Sequence, residues 1–129
     1  MTADLAPLPD DMRAGVFSFP LQTLTKRADF LAASRALRAP CPAFLLQARD
    51  RRDGTSVTRI GYTCSKKVGN AVTRNRAKRR LRALAQAVLP SAARPGWDYV
   101  LVGRAAETVT RPMDQMHRDL QRALEKLHR

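Results

Sequence analysis

Between Ser65 and Arg82 the chain places eight cations among 18 residues and not one carboxylate. No Asp or Glu occurs anywhere from Gly54 to Trp97. A helix selected only for solubility interleaves both signs, because opposite charges one turn apart support it and like charges oppose it. This segment forgoes that support, and a polyanion is the partner that restores the balance, nucleic acid above all. Arginine outnumbers lysine in the helical part, and its planar fork suits bidentate phosphate contacts and stacking on bases. Asn75, between Arg74 and Arg76, adds a neutral hydrogen-bonding group that a mere charge brush would not need. The turn before the helix, Lys66 to Asn70, presents backbone N–H groups at a helix N-terminus, which is an anion site by construction. The candidate nucleic-acid contacts are Lys66, Lys67, Asn70, Arg74, Asn75, Arg76, Lys78, Arg79, Arg80 and Arg82.

Residues that could break a covalent bond are scarce. Gly54, Gly61 and Gly69 are scattered and form no phosphate-binding loop. His117 and His128 are the only imidazoles. His117 lies off the apolar stripe of the last helix and reads as a solvated surface residue. With neither a Cys-x-x-Cys nor a paired-histidine spacing, no zinc site is expected, and the few carboxylates fall near the termini or in turns. No catalytic residue and no protein-bound metal are therefore assigned. Cys41 and Cys64 each sit in an apolar stretch and read as small core residues in a reducing compartment.

The whole chain shares the bias of its central segment. Across 129 residues, 24 Lys and Arg against 11 Asp and Glu leave a net charge of +13, while 44% hydrophobic content suffices for a core. One domain is expected. No apolar run approaches the ~20 residues that span a bilayer. The first 20 residues lack a basic n-region and an apolar h-region, so no secretory signal is expected and the site of action is expected to be cytoplasmic.

The elements that must position these residues follow from periodicity. Residues 1–20, with three prolines and Asp4, Asp10 and Asp11, read as a flexible N-terminal leader, and 21–129 as the domain. Thr25 to Arg35 reads as a short helix with Thr25 as its cap. Residues 43–49 read as a strand with Phe44, Leu46 and Ala48 on its core face and Leu45, Gln47 and Arg49 on the other. Asp53-Gly54 is a hairpin signal, leading to a second strand over 56–64 with Arg59, Gly61 and Thr63 opposite Ile60, Tyr62 and Cys64. Gly69-Asn70 caps a helix of about 18 residues whose stripe is Ala77, Leu81, Leu84 and Val88. Pro90 to Gly96 reads as a loop, 98–103 as an apolar strand for the middle of a sheet, and Thr110 with Pro112 as the start of a last helix. The expected order is α-β-β-α-β-α, an α+β sandwich.

The run Ser65-Lys66-Lys67-Val68-Gly69-Asn70-Ala71-Val72-x-Arg74-Asn75-Arg76-x-Lys78-Arg79-x-Leu81-Arg82 resembles the signature of the bacterial ribonuclease P protein subunit family. The resemblance extends to Lys26-Arg27-Ala28-Asp29-Phe30, to Phe44-Leu45-Leu46 and to Asp98–Val102, and covers residues 21 to 128. It implies a single-domain α/β sandwich similar to ribosomal protein S5 domain 2, with a left-handed β-α-β crossover where general handedness rules favour a right-handed one. It also implies a catalytic RNA as partner and precursor tRNA as substrate, with magnesium-dependent hydrolysis that leaves a mature 5′ end. The scissile chemistry would belong to the RNA and its metal ions, in keeping with the missing catalytic residues. Neither a membrane nor a protein partner is implied.

By the same resemblance the basic helix would lie on the catalytic RNA. A cleft between the first helix and the sheet would take the single-stranded 5′ leader, drawing on Lys26, Arg27, Phe30, Ser34, Leu45, Gln47 and Thr63. Phe30 matches a cleft aromatic of the family, or serves as an ordinary core residue. Ser34 stands where many members carry a second aromatic, and Gln47 where some carry tyrosine. Leader grip here would then lean more on hydrogen bonds and charge. The competing reading is a ribosomal or general RNA-binding protein of the same fold, without a role in tRNA maturation.

Overall fold

The computed structural model describes residues 21–64, 66–104 and 106–128, so the expected leader over 1–20 lies outside the described residues. In chain order the elements are β1 (Leu21–Thr23), α1 (Arg27–Ser34), β2 (Leu37–Pro40), β3 (Phe44–Asp50), β4 (Thr58–Thr63), a 3-10 turn (Lys66–Val68), α2 (Ala71–Ala92), β5 (Trp97–Gly103), α3 (Glu107–Thr110) and α4 (Met113–Leu127). The strands form one sheet in the order β1-β4-β5-β3-β2. β4 runs parallel to both β1 and β5, and β3 runs antiparallel to β5 and β2.

The apolar character of β5 decides this order. Tyr99 and Leu101 are buried on one face of the strand and Val100 on the other, so β5 needs cover on both faces and neighbours on both edges. It takes the centre and separates β3 from β4. The hairpin expected from Asp53-Gly54 therefore does not form. A turn is present, with Arg52 and Gly54 at positive φ (52° and 79°), but the chain crosses over the start of β5 instead of folding back beside β3. The Arg51 side chain holds that crossing by donating to the carbonyls of Trp97 (3.2 Å) and Val57 (2.6 Å).

Three further departures have local causes. The α1 cap is Lys26, not Thr25, and it makes no side-chain hydrogen bond to the helix. α2 runs 22 residues and carries Pro90 inside its last turn, where the helix continues two residues before Ala93 caps it. The two edge strands β1 and β2 are three and four residues long, too short to show a period in the sequence.

The sheet has a layer on each side. Phe44, Leu46, Ala48, Ile60, Tyr99 and Leu101 pack under α2 and α4, joined by Leu81, Leu84, Val88, Met116, Leu120 and Leu124. On the opposite face a smaller cluster of Leu24, Ala33 and Val100, with Phe30 and Val102 beside it, seats α1. The α2 stripe expected from the sequence is buried, and α4 buries Met116, Leu120, Ala123 and Leu124.

Candidate nucleic-acid interface

The α2 stripe that faces the sheet fixes what its other faces can do. Burying Ala77, Leu81, Leu84, Ala85, Val88 and Leu89 turns Asn75, Arg76, Arg79 and Arg82 outward, all four exposed. Arg74 and Lys78 are half-buried at the flanks of the same surface. Arg82 lies over the Tyr62 ring with its Cζ 5.5 Å from the centroid, a cation–π contact that holds one guanidinium in place. Val72, 76% exposed, adds an apolar group at the start of this cationic face. At the helix N-terminus the Asn70 side chain accepts from the Thr73 N–H (3.0 Å), so its first duty is capping. Gly69, just before it, sits at φ 148° with the Thr73 side chain where a Cβ would go. Lys67 is exposed on the preceding turn; Ser65 and the side chain of Lys66 lie outside the described residues.

Arg80 departs from its neighbours. Its guanidinium donates to the carbonyl oxygens of Thr108 (2.8 Å) and Arg111 and approaches Met116 Sδ (3.5 Å). Arg80 stands one turn from Arg76, but its guanidinium is drawn aside to tie α2 to the α3–α4 corner.

Across the sheet, Arg27, Phe30, Leu31 and Ser34 of α1 meet Gln47 of β3, Thr63 of β4 and Val100 and Val102 of β5 around a cleft of about 290 Å³. Five of the residues named for a leader cleft thus converge: Arg27, Phe30, Ser34, Gln47 and Thr63. Lys26 is exposed at the helix start, and Leu45 stands one row along β3 opposite Val102; neither lines the cleft. The Ser34 hydroxyl donates back to the Leu31 carbonyl (2.7 Å), which leaves its oxygen able to accept. Gly61 had no assigned role, yet a Cβ there would stand 2.4 Å from Phe30 Cε1. A glycine inside a strand marks such a close approach, and that was the available signal.

Beneath the cleft, Arg59, Asp98 and Arg49 occupy one cross-strand row of β4, β5 and β3. The fully buried Asp98 carboxylate accepts from Arg59 Nε and Nη2 (both 2.7 Å) and from Arg51 Nη1 (2.8 Å). The hydrogen bond to Asp98 raises the Arg59 pKa further, so its charge is fixed. Buried polar contacts elsewhere serve the frame. Tyr99 OH accepts from the Arg94 N–H (2.9 Å) and lies 2.9 Å from His128 Nε2. Burial pushes the Tyr99 pKa up to about 12, and burial likewise pushes the Cys41 thiol up to about 11. Among the described residues no three His, Cys, Asp or Glu side chains come together as a metal site requires.

Comparison with known proteins bears on this geometry. A family model for ribonuclease P matches residues 20–128. The ribonuclease P protein component of Ruegeria pomeroyi is 57% identical over 109 residues, covering 84% of this chain and 87% of its own. The corresponding component of Caulobacter vibrioides is 46% identical over 103 residues, covering 80% of this chain and 68% of its own. Two solved structures share the fold. The Staphylococcus aureus RNase P protein superposes with a TM-score of 0.65 at 24% identity, over 81% of this chain and 93% of that one. The Thermotoga maritima RNase P protein gives 0.64 at 20% identity, over 78% and 91%.

Proposed function

The chain belongs to the ribonuclease P protein family, and we propose that it does that family's work through two RNA surfaces on opposite faces of its sheet. It is the RNA-binding subunit of a ribonucleoprotein that removes the 5′ leader from precursor tRNA. Outward arginines of α2, with Lys67 and the flanks Arg74 and Lys78, lie on the catalytic RNA, and Lys66 joins them from the preceding turn. The α1 cleft takes the single-stranded leader, with Phe30 offering a ring face and Gln47, Thr63 and Ser34 offering hydrogen bonds. Arg80 is left out of the RNA surface, because its Nε and Nη2 already donate to the Thr108 and Arg111 carbonyls. The observation that carries this reading is the pairing of an acid-free cationic helix with an aromatic-floored cleft across one sheet.

Bond cleavage falls to the RNA. The magnesium requirement is placed there too: Asp29, Asp53, Asp98 and Asp119 are held in arginine pairs, and among the described residues no three acidic, His or Cys side chains gather as an ion site. The protein's contribution is electrostatic and positional. Its cations replace counterions between crowded phosphates, lowering the magnesium needed for assembly, and its cleft holds the leader in register. No described helix is long and apolar enough to cross a membrane; the unpaired thiols and the RNA partner support action in the cytoplasm.

The test is reconstitution. Rigorously RNA-free protein should leave precursor tRNA intact at any magnesium concentration. With the catalytic RNA it should yield a mature 5′ end at magnesium levels where the RNA alone is slow. Robust cleavage by the protein alone would overturn the assignment.

A further inference from the structure

An eight-residue helix has little stability of its own, and α1 lacks a side-chain cap and fully buries only Ala33. Its place on the sheet must come from tertiary anchors. One is Asp29, in the first turn, which accepts from Arg59 Nη1 (3.3 Å) and lies 3.8 Å from Arg49 Nη1. Asp98 holds Arg59 through two short bonds, and Asp98 in turn accepts from Arg51. A second anchor is the bare backbone at Gly61, one row along from Arg59 on the same face of β4, on which the Phe30 ring lies. Asp29 and Phe30 are consecutive, so the ion pair and the ring contact act on the same turn.

We propose that the Asp29–Arg59–Asp98 relay, together with Gly61, positions Phe30 for leader recognition. Asp29, Arg59, Asp98 and Gly61 are positioning residues: none lines the cleft, and each acts through the ring. The relay sets where the first turn of α1 sits along the strands, and Gly61 sets how deep the ring sinks. A ring lifted from Gly61 would intrude on the space between Gln47 and Thr63, and a first turn released from Arg59 would leave the ring mobile. The proposal rests on the leader-cleft reading and adds to it the parts that make the cleft selective.

The experiment uses protein assembled with the catalytic RNA and compares its Kd for precursor tRNA with that for mature tRNA. Phe30→Ala sets the scale: it should weaken precursor binding roughly 5- to 150-fold, the range for loss of one base–aromatic stack, and leave mature tRNA unchanged. Asp29→Asn should weaken precursor binding by about two- to fivefold, the range of a partly exposed ion pair, again without effect on mature tRNA. Gly61→Ala should approach the Phe30→Ala value. The decisive arm is the double variant: in the Phe30→Ala background, Asp29→Asn should have no further effect, because a residue that acts through the ring has nothing left to position. A merely structural role would lower the melting temperature and weaken both tRNAs, or add fully in the double variant, and either result overturns the proposal. If Phe30→Ala discriminates while Asp29→Asn and Gly61→Ala do not, the relay is refuted and the cleft stands. If Phe30→Ala treats both tRNAs alike, the cleft reading fails and the relay with it.

Discussion

Arg79 and Arg80 are chain neighbours with opposite surroundings: one is exposed, the other binds the carbonyls that close the α3–α4 corner. Substitutions on the outer face and flank of α2 and at Arg80 should separate affinity from stability. Arg74→Ala and Arg76→Ala should each flatten the slope of log K against log salt for the catalytic RNA by about 0.7 to 0.9 if each makes one phosphate contact. Circular dichroism should stay native, and an unchanged slope would reduce those arginines to a solvated face. Arg80→Ala should leave the slope alone and cost about 1.5–3 kcal/mol of stability, the scale of hydrogen bonds from a charged donor. His128 makes a pH prediction. Its Nε2 lies 2.9 Å from Tyr99 OH, which accepts from the Arg94 N–H, and its Nδ1 is buried without a hydrogen-bond partner among the described residues. Burial, and then Arg94, lower the His128 pKa below its ordinary 6.5. The unfolded chain therefore binds this proton first as pH falls, so the contribution of His128 to stability is complete above pH 6.5 and declines below it. Melting temperature followed from pH 7.5 to 5 should fall less in His128→Gln than in the parent chain.

At the scale of elements, α2 is both floor and façade: its apolar stripe holds the sheet, and its polar remainder is the surface proposed to meet RNA. Leu81→Ala, on the stripe and fully buried, should lower stability by about 2–5 kcal/mol and weaken every RNA interaction together, as thermal melts beside binding curves would show. This duality is why α2 was legible in the sequence. Twenty-two residues give a period room to show, and the absence of acids marks the other face. The strand faces were legible for the same reason: Leu45, Gln47 and Arg49 alternate with Phe44, Leu46 and Ala48, and the structure puts the first set on the α1 side. Pairing was not legible. Asp53-Gly54 signals a turn whatever lies beyond it, and only the need of β5 for two neighbours says that β3 and β4 are apart. The cleft was legible as residue types, but the relay beneath it was not. Asp29, Arg59 and Asp98 come from three elements, 30 and 39 residues apart, and nothing local announces that they meet.

At the scale of the molecule, α2 and α1 lie on opposite faces of one sheet, so the two proposed RNA surfaces would be kept apart and could be occupied at once. The central place of β5 has a consequence for how such a chain comes to be. Before Trp97–Gly103 exists, β1 with β4 and β2 with β3 are two unconnected scraps, and the stripe of α2 has only part of its floor. A single late strand joins them, so folding waits on contacts distant in sequence and should be slow for a domain of this size. A chain ending at Gly96 should show neither cooperative melting nor protected amides, and the full chain should show both. On the ribosome, the cationic segment from Lys66 to Arg82 then emerges well before the scaffold that will aim it. For that interval it would be a basic ribbon beside ribosomal RNA, where any capture would compete with its own folding.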